Sequence, residues 1–87
     1  MQIDFSRKFI KMLAKAPVKI QKSFHKRLDI FLIDQFNVIL NNHQLVGKYK
    51  GFKSINVAGN WRAIFKGFKN DNLIVFYLIG SHSDLYK

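Results

Sequence analysis

LIVFYLI at positions 73–79, followed by GSHSDLYK at positions 80–87, is the stretch of this chain that decides its fold. Leu73 to Ile79 is the most apolar run in the sequence. Because it is apolar on both faces, it predicts a central strand of a sheet. His82, Asp84 and Tyr86 come directly after it, where a buried strand reaches the surface. A histidine at such a place can move a proton near neutral pH.

Two further runs predict strands that pair with this one. Lys53 to Ala58 and Trp61 to Phe68 are both strand-like, and Gly59-Asn60 between them predicts a tight hairpin turn. Lys69 to Asn72 predicts a looser turn into the central strand. A short strand is also expected at Gln2 to Phe5, and residues 43–52, which contain two glycines, are expected to form a loop.

The first half of the chain predicts two helices. Ser6 is a suitable N-cap for the first, and Pro17 ends it and suits the first turn of the second. The second is expected to run from Pro17 to Phe36, with Asn41 and Asn42 after it. Apolar residues recur at helical spacing in both: Phe5, Phe9, Met12, Leu13 and Ala16 in the first, and Ile20, Phe24, Leu28, Phe31 and Leu32 in the second.

The end of the second helix is apolar all round. Past Leu28 the apolar stripe widens, because Ile30 and Ile33 point away from it. Such a segment is buried on two sides, either within the domain or against a bound partner. Burial within the domain is the expectation, and a bound peptide is the alternative.

These elements predict an α+β fold in the order β-α-α-β-β-β, with two helices on one face of a small, largely antiparallel sheet. The whole chain, 1–87, is expected to be one domain, since an apolar content of 48% with thirteen aromatic residues favours a real core. There is no cysteine, so disulfides and thiolate chemistry are excluded. Neither a signal peptide nor a membrane span is recognisable, and a cytoplasmic protein is expected.

The chain is strongly basic, with fifteen Lys and Arg against five Asp and a net charge of +10. Lysine-rich surfaces bind phosphate backbones through counterion release. An acidic protein partner, or only a solvated cationic surface, remains an alternative. The polar faces of the two helices are the candidate RNA-binding surface, and their lysines repeat at helical spacing: Lys8, Lys11, Lys15, Lys19, Lys22 and Lys26.

Strand alternation places Arg62 away from the helices, because Trp61 and Ala63 point the other way. An arginine there is available to hold a phosphate with its planar fork, although pairing with Asp84 or Asp71 is an alternative. His82 lies just beyond the end of the adjacent strand, which is compatible with a position near Arg62, and an ordinary exposed tail histidine is the alternative.

Two other side chains are candidates with alternatives of their own. Tyr86 is expected either to stack on a base or act as a polar catalytic group, or to fold the tail onto the core. His43 begins the glycine-bearing loop, and a lone histidine there is more often a loop or capping residue. His25 is expected to be only a surface residue.

Several chemistries lack their sequence patterns. The histidines and aspartates show no metal-ligand spacing, and no glycine-rich phosphate loop leads into a helix. Ser81, His82 and Asp84 are too close in sequence to converge as a hydrolase triad. Metal-free RNA cleavage remains, in which the RNA's own 2′-hydroxyl attacks phosphorus while side chains move protons and hold charge. No cofactor is expected.

Three segments resemble the RelE/ParE toxin superfamily, and within it the YafQ-like ribonuclease toxins: His43 to Gly47, Asn60 to Phe65, and Ile79 to Tyr86. The resemblance covers nearly the whole chain and agrees with the predicted order of elements. One departure is Asn60, where YafQ-like members often have aspartate before the tryptophan, and this puts any carboxylate role there in doubt.

This resemblance implies the toxin of a type II toxin–antitoxin pair that cuts messenger RNA on the translating ribosome and is neutralised by an acidic antitoxin. The family's C-terminal histidine falls on His82, its C-terminal aromatic residue on Tyr86, its loop histidine on His43 and its strand arginine on Arg62. RelE itself relies on lysines and arginines, and Lys48, Lys50 and Lys53 are the candidates here for RNA binding.

Two other functions are compatible with the sequence. One is a ParE-like toxin of the same fold, which poisons DNA gyrase and is not a nuclease. His82 and Tyr86 argue against it, because that activity needs no acid–base pair. The other is a basic RNA-binding module without catalysis.

Overall fold

The computed structural model describes all 87 residues, Met1 to Lys87. Its helices and strands are β1 Gln2–Phe5, α1 Arg7–Lys15, α2 Val18–Ile33, β2 His43–Gln44, β3 Lys53–Ala58, β4 Trp61–Phe68, β5 Leu73–Ser81 and α3 His82–Leu85. Short 3₁₀ turns lie at Val38–Leu40, Gly47–Tyr49 and Lys69–Asp71. The predicted α+β class and the order of its main elements are confirmed.

The sheet has the strand order β1-β5-β4-β3-β2. Only β1 and β5 are parallel, and the other pairs are antiparallel. The apolar run that follows the last turn is therefore central, as its two apolar faces predict, because β1 and β4 flank it. Gly59 adopts a positive φ of 53° in the hairpin turn between β3 and β4, a conformation that favours glycine.

Aromatic side chains fill the core between the sheet and the two long helices. Phe9 of α1, Phe24 and Phe31 of α2, and Phe65 and Phe76 of the sheet are all fully buried. The Ser6 hydroxyl caps α1 by accepting from the Phe9 amide (3.0 Å), as predicted. The lysine-bearing faces of both helices are exposed to solvent.

The second helix ends earlier than its periodicity predicts. It stops at Ile33, because the Asp34 carboxylate accepts from the Phe36 amide (3.1 Å) and closes a turn. The segment then forms the 3₁₀ turn Val38–Leu40, and Ile33 is 88% exposed. Burial of Ile33 within the domain was therefore a wrong expectation, since no other element covers it.

Two short elements were not predicted. Residues 43–52 were expected to be a loop, but His43–Gln44 pairs with β3 as an edge strand of two residues. The C-terminal tail forms α3. Both are too short to show a periodicity in the sequence. The longest helix, α2, has 16 residues, and no helix is long and apolar enough to cross a membrane.

Candidate functional site

The site lies on the sheet face away from α1 and α2. Arg62 is in register with Asn56 of β3 and Gly80 of β5, while its neighbour Ala63 is buried in the helix-side core. Successive residues of a strand point to opposite faces. Arg62 therefore points away from the helices, as its place in the strand predicts.

The Arg62 guanidinium is partly held by its own hairpin. Its Nη1 donates to the carbonyl oxygens of Gly59 (2.8 Å) and Trp61 (3.0 Å). Arg62 therefore does not form the ion pair with Asp84 or Asp71 that the sequence left open as an alternative. The fork's other edge, Nε and Nη2, has no partner within the chain and remains able to hold a phosphate oxygen at two points.

Three contacts fold α3 back over this face. The His82 amide donates to the Asn60 carbonyl (2.9 Å), and the Ser81 hydroxyl accepts from the Asp84 amide (3.2 Å) as an N-cap. Leu85 is buried, and a Cβ on Gly80 would lie 3.4 Å from it. Glycine at this position therefore lets α3 lie directly on β5. The only sign of this cap in the sequence is that Ser81 lies three residues before Asp84, which is the spacing of a capping box.

A stack of rings forms above this helix. The rings of His82 and Tyr86 are stacked with centroids 4.7 Å apart, and Tyr86 meets the Tyr49 ring edge-on at 5.3 Å. The Tyr49 hydroxyl donates to the Leu85 carbonyl (2.6 Å), and Lys48 approaches the same oxygen (3.4 Å). Tyr86 is exposed, which shows that its ring does not fold back into the core. It stacks on His82 instead.

His43 reaches the same face from the opposite edge of the sheet. It is in register with Ser54, whose partner Ile64 lies in β4. Its Nδ1 lies 2.7 Å from the Asn41 carbonyl oxygen, which can only accept, so Nδ1 carries the proton. In the neutral form of this tautomer the lone pair lies on Nε2. Neither a ring contact nor a hydrogen bond joins His43 to His82.

Asn56 is a polar residue of this face that the sequence did not single out. Its Oδ1 is buried without a hydrogen-bond partner, beside Arg62 in the register of β3 and β4. A buried acceptor without a donor is costly. The atom has essentially no solvent-accessible surface, so it is an uncompensated acceptor between β3 and β4 and not a contact point for a ligand. The only feature of the sequence that could have pointed to Asn56 is its position in β3 on the same face as Arg62.

The candidate RNA-binding lysines fall into separate groups. All six helix lysines are exposed. Lys48 approaches α3, and Lys50 is exposed in the neighbouring turn. Lys53 lies elsewhere, since it lines a groove of about 490 Å³ together with Lys69 and Phe36. His25 is exposed on α2, as expected.

No group of three or more His, Cys, Asp or Glu side chains in the structure is placed to hold a metal ion.

Comparison with solved structures identifies relatives, whereas no family model and no curated protein matches the chain. YafQ from E. coli strain BL21(DE3) superposes with a TM-score of 0.70 at 25% identity, covering 99% of this chain and 98% of that one. A YoeB/ParE toxin from Agrobacterium tumefaciens gives 0.76 at 9% identity, with coverages of 94% and 99%. The chain resembles the RelE/ParE toxins, and YafQ in particular. The predicted resemblance is confirmed over nearly its whole length.

Relatives of this fold have been solved together with their antitoxins. The E. coli DinJ–YafQ toxin–antitoxin complex matches with a TM-score of 0.67 at 26% identity, covering 99% of this chain and 97% of that one. The archaeal RelE–RelB complex from Pyrococcus horikoshii OT3 gives 0.73 at 17% identity over 92% of each chain. In fold the chain groups with toxins of toxin–antitoxin systems.

Proposed function

We propose that this protein is the toxin of a type II toxin–antitoxin pair and cuts messenger RNA on the translating ribosome. The observation that carries the proposal is the His82–Tyr86–Tyr49 ring stack, anchored by the His82 amide to the hairpin turn that precedes Arg62. A proton-transfer group and a phosphate-binding group thus share one cationic face. The similarity to YafQ over 99% of the chain supports the same function.

The reaction requires two proton transfers and no cofactor. As a base takes its proton, the 2′-hydroxyl oxygen attacks the adjacent phosphorus. The P–O5′ bond breaks, and the 5′-oxygen takes a proton. The products are a 2′,3′-cyclic phosphate and a 5′-hydroxyl. The two candidates for the proton transfers are His82, with an exposed ring, and His43, with its lone pair on Nε2.

Charge and stacking complete the proposed site. The free edge of Arg62 holds the scissile phosphate as negative charge develops on its oxygens. Tyr86 presents an exposed ring that stacks on a base and fixes the imidazole beneath it. Lys48 and Lys50 add positive charge beside α3.

The proposed partners follow from the charge and from the relatives. Messenger RNA and the ribosome are polyanions, which suits a chain of net charge +10. An acidic antitoxin suits the same charge, and DinJ and RelB occupy that role in the related complexes. A protein that acts on translating ribosomes works in the cytoplasm, and this is the location that we propose.

His82 is the residue on which the proposal is tested. Purified protein is added to ribosomes translating a defined messenger RNA, and the cut ends are mapped and identified chemically. We expect codon-phased cuts with 2′,3′-cyclic phosphate ends, and His82→Ala should lower the single-turnover rate by about 10²- to 10⁴-fold. His25→Ala is the matched control and should cut at the wild-type rate, because His25 lies on α2.

Other outcomes would contradict the assignment. A folded His82→Ala variant that cuts like the wild type would exclude His82 from proton transfer. Ends that carry a 5′-phosphate would exclude attack by the 2′-hydroxyl. Arrest of DNA supercoiling without RNA products would indicate a gyrase poison, and ribosome binding without products would indicate a non-catalytic module.

A further inference from the structure

The sheet face away from the helices has a covered half and an open half. On the covered half, α3 packs on β5 at Gly80 and is bonded to Tyr49, and Ile64 and Ser54 of the same face are buried. On the open half no helix covers the strands. Four half-buried side chains there form what we call the aromatic platform: Phe52, Lys66, Phe68 and Tyr77.

The four platform residues contact one another. Phe52 and Tyr77 meet edge to face with centroids 5.4 Å apart. The Lys66 ammonium lies 5.5 Å from the Phe52 centroid and 5.7 Å from that of Phe68, between two rings. These contacts hold a positive charge among aromatic rings that are partly open to solvent.

The position of Tyr77 depends on an irregularity of β5. Ile64 pairs with Leu78, but the next residue, Phe65, pairs with Phe76, so Tyr77 is the extra residue of a β-bulge. Bulges re-aim side chains, often beside functional sites. The Ser6 hydroxyl donates to the Tyr77 carbonyl (3.0 Å) and fixes the bulged backbone. The bulge therefore turns the Tyr77 ring toward Phe52 on the open half.

Core packing does not explain three aromatic rings on this face. The domain has its aromatic core on the other side of the sheet, where Phe9, Phe24 and Phe31 are fully buried. Partly exposed rings interleaved with a cation are instead the pattern on which successive bases of single-stranded nucleic acid stack. Lys66 also has no carboxylate on a neighbouring strand in its register. The nearest one is that of Asp4, which lies two strands away, or about 10 Å.

The platform and the proposed cleavage site lie on one path along β4. Lys66 is four residues beyond Arg62 on the same face, a distance of about 13 Å. We infer that the aromatic platform is a second subsite, which stacks a base of the single-stranded RNA flanking the cut while Lys66 contacts its phosphate. This inference rests on the proposed RNA cleavage at His82 and extends it to the substrate's neighbouring nucleotides.

Binding of an RNA that cannot be cut tests the subsite. The probes are a short fluorescein-labelled 2′-O-methyl oligouridine and an abasic oligomer of the same length, followed by fluorescence anisotropy. Phe52→Leu and Phe68→Leu should each weaken oligouridine binding about five- to tenfold, because a stacking ring is removed. Binding of the abasic oligomer should not change. Val38→Ala is the control, since Val38 is 92% exposed and belongs neither to the platform nor to the groove that Phe68 lines together with Phe36.

A charge variant gives a second, independent measurement. Lys66→Gln should weaken both oligomers and lower the slope of log affinity against log salt by about 0.7, whereas Phe52→Leu should leave the slope unchanged. If a phenylalanine variant does not fold, Lys66→Gln still tests the inference. Thermal melting of each variant checks that it is folded.

Three results would overturn the inference. One is an equal loss of affinity for the abasic and the base-bearing oligomer in Phe52→Leu. Another is unchanged RNA binding in all three variants. The third comes from polyglutamate, measured in parallel as an acidic-protein probe: if Lys66→Gln loses polyglutamate binding but keeps RNA binding, the platform is a docking surface for an acidic protein. The wild-type protein itself separates the two proposals. If it binds oligouridine more tightly than the abasic oligomer but never cuts messenger RNA, the proposed cleavage is wrong and the subsite is still supported.

Discussion

The Tyr49 hydroxyl, beside the Lys48 ammonium, joins the glycine-bearing loop to the C-terminal helix. It donates to the Leu85 carbonyl, 36 residues away in sequence, and its ring meets Tyr86, which stacks on His82. Because α3 has only four residues, its own hydrogen bonds cannot hold it. Tyr49 is therefore a positioning residue for His82 in the proposed reaction.

Replacing Tyr49 with phenylalanine removes this bond and keeps the ring. We expect a loss of about 1 kcal/mol of folding free energy, and hence a melting temperature lower by about 4–8 °C. Single-turnover cleavage should slow while ribosome affinity stays the same, because the ring stack above His82 loosens. Tyr77→Phe is the control for stability, since its hydroxyl makes no hydrogen bond within the chain. Equal melting temperatures and equal rates would show that the bond positions nothing.

Residue-level features differ in how far the sequence can predict them. The direction of Arg62 was predictable, because alternation along a strand is a local property. Its hydrogen bonds to Gly59 and Trp61 were not, because they depend on the geometry of the hairpin turn. The contact between Tyr49 and Leu85 was also beyond reach, since nothing in either segment specifies a partner so distant in sequence.

Among the elements, β5 has the greatest effect on the fold. Its Phe76 is fully buried and meets five other aromatic rings, those of Phe5, Phe9, Phe24, Phe31 and Phe65. The strand also carries His82 at its end. Packing of the core and placement of the candidate site therefore depend on the same element.

Truncating Phe76 tests this dependence. Phe76→Ala should cost about 3–5 kcal/mol, because it leaves a cavity that surrounding rings cannot fill. For a domain with a total stability of roughly 5–15 kcal/mol, this is a large fraction. The matched variant Phe36→Ala should change stability by less than about 0.5 kcal/mol, since Phe36 is exposed. Urea unfolding midpoints measure both, and similar midpoints would mean that the core does not centre on Phe76.

The end of α2 shows where periodicity misleads. The apolar pattern continues past the true end of the helix, because Leu32, Ile33, Phe36 and Val38 are all apolar. Yet all four are exposed, Val38 to 92%. The spacing of apolar residues predicts that a surface is buried, but it does not identify the element that buries it. Here no other element of the domain covers these four side chains. Of the two interpretations that the sequence left open, burial within the domain holds in part for Ile30, which packs half-buried against the core. It is wrong for Ile33, for which a bound partner remains.

At the scale of the whole molecule, positive charge lies on two opposite sides. Arg62, Lys48 and Lys66 belong to the sheet face that carries His82. The exposed lysines of α1 and α2 lie on the far side of the helices. We therefore propose that the exposed helix lysines dock on ribosomal RNA and that the sheet face makes the cut.

Neutralising helix lysines should separate these two roles. Removing one lysine–phosphate ion pair lowers the slope of log affinity against log salt by about 0.7 to 0.9. The triple variant Lys11→Gln, Lys15→Gln, Lys22→Gln should therefore bind ribosomes more weakly and with a slope lower by about 2 to 3. Its cleavage rate at saturating ribosome should match the wild type. Replacing the same lysines with arginine is the control and should preserve both. Unchanged binding with slow cleavage would mean that these lysines act in the reaction, and the assignment of the two sides would be wrong.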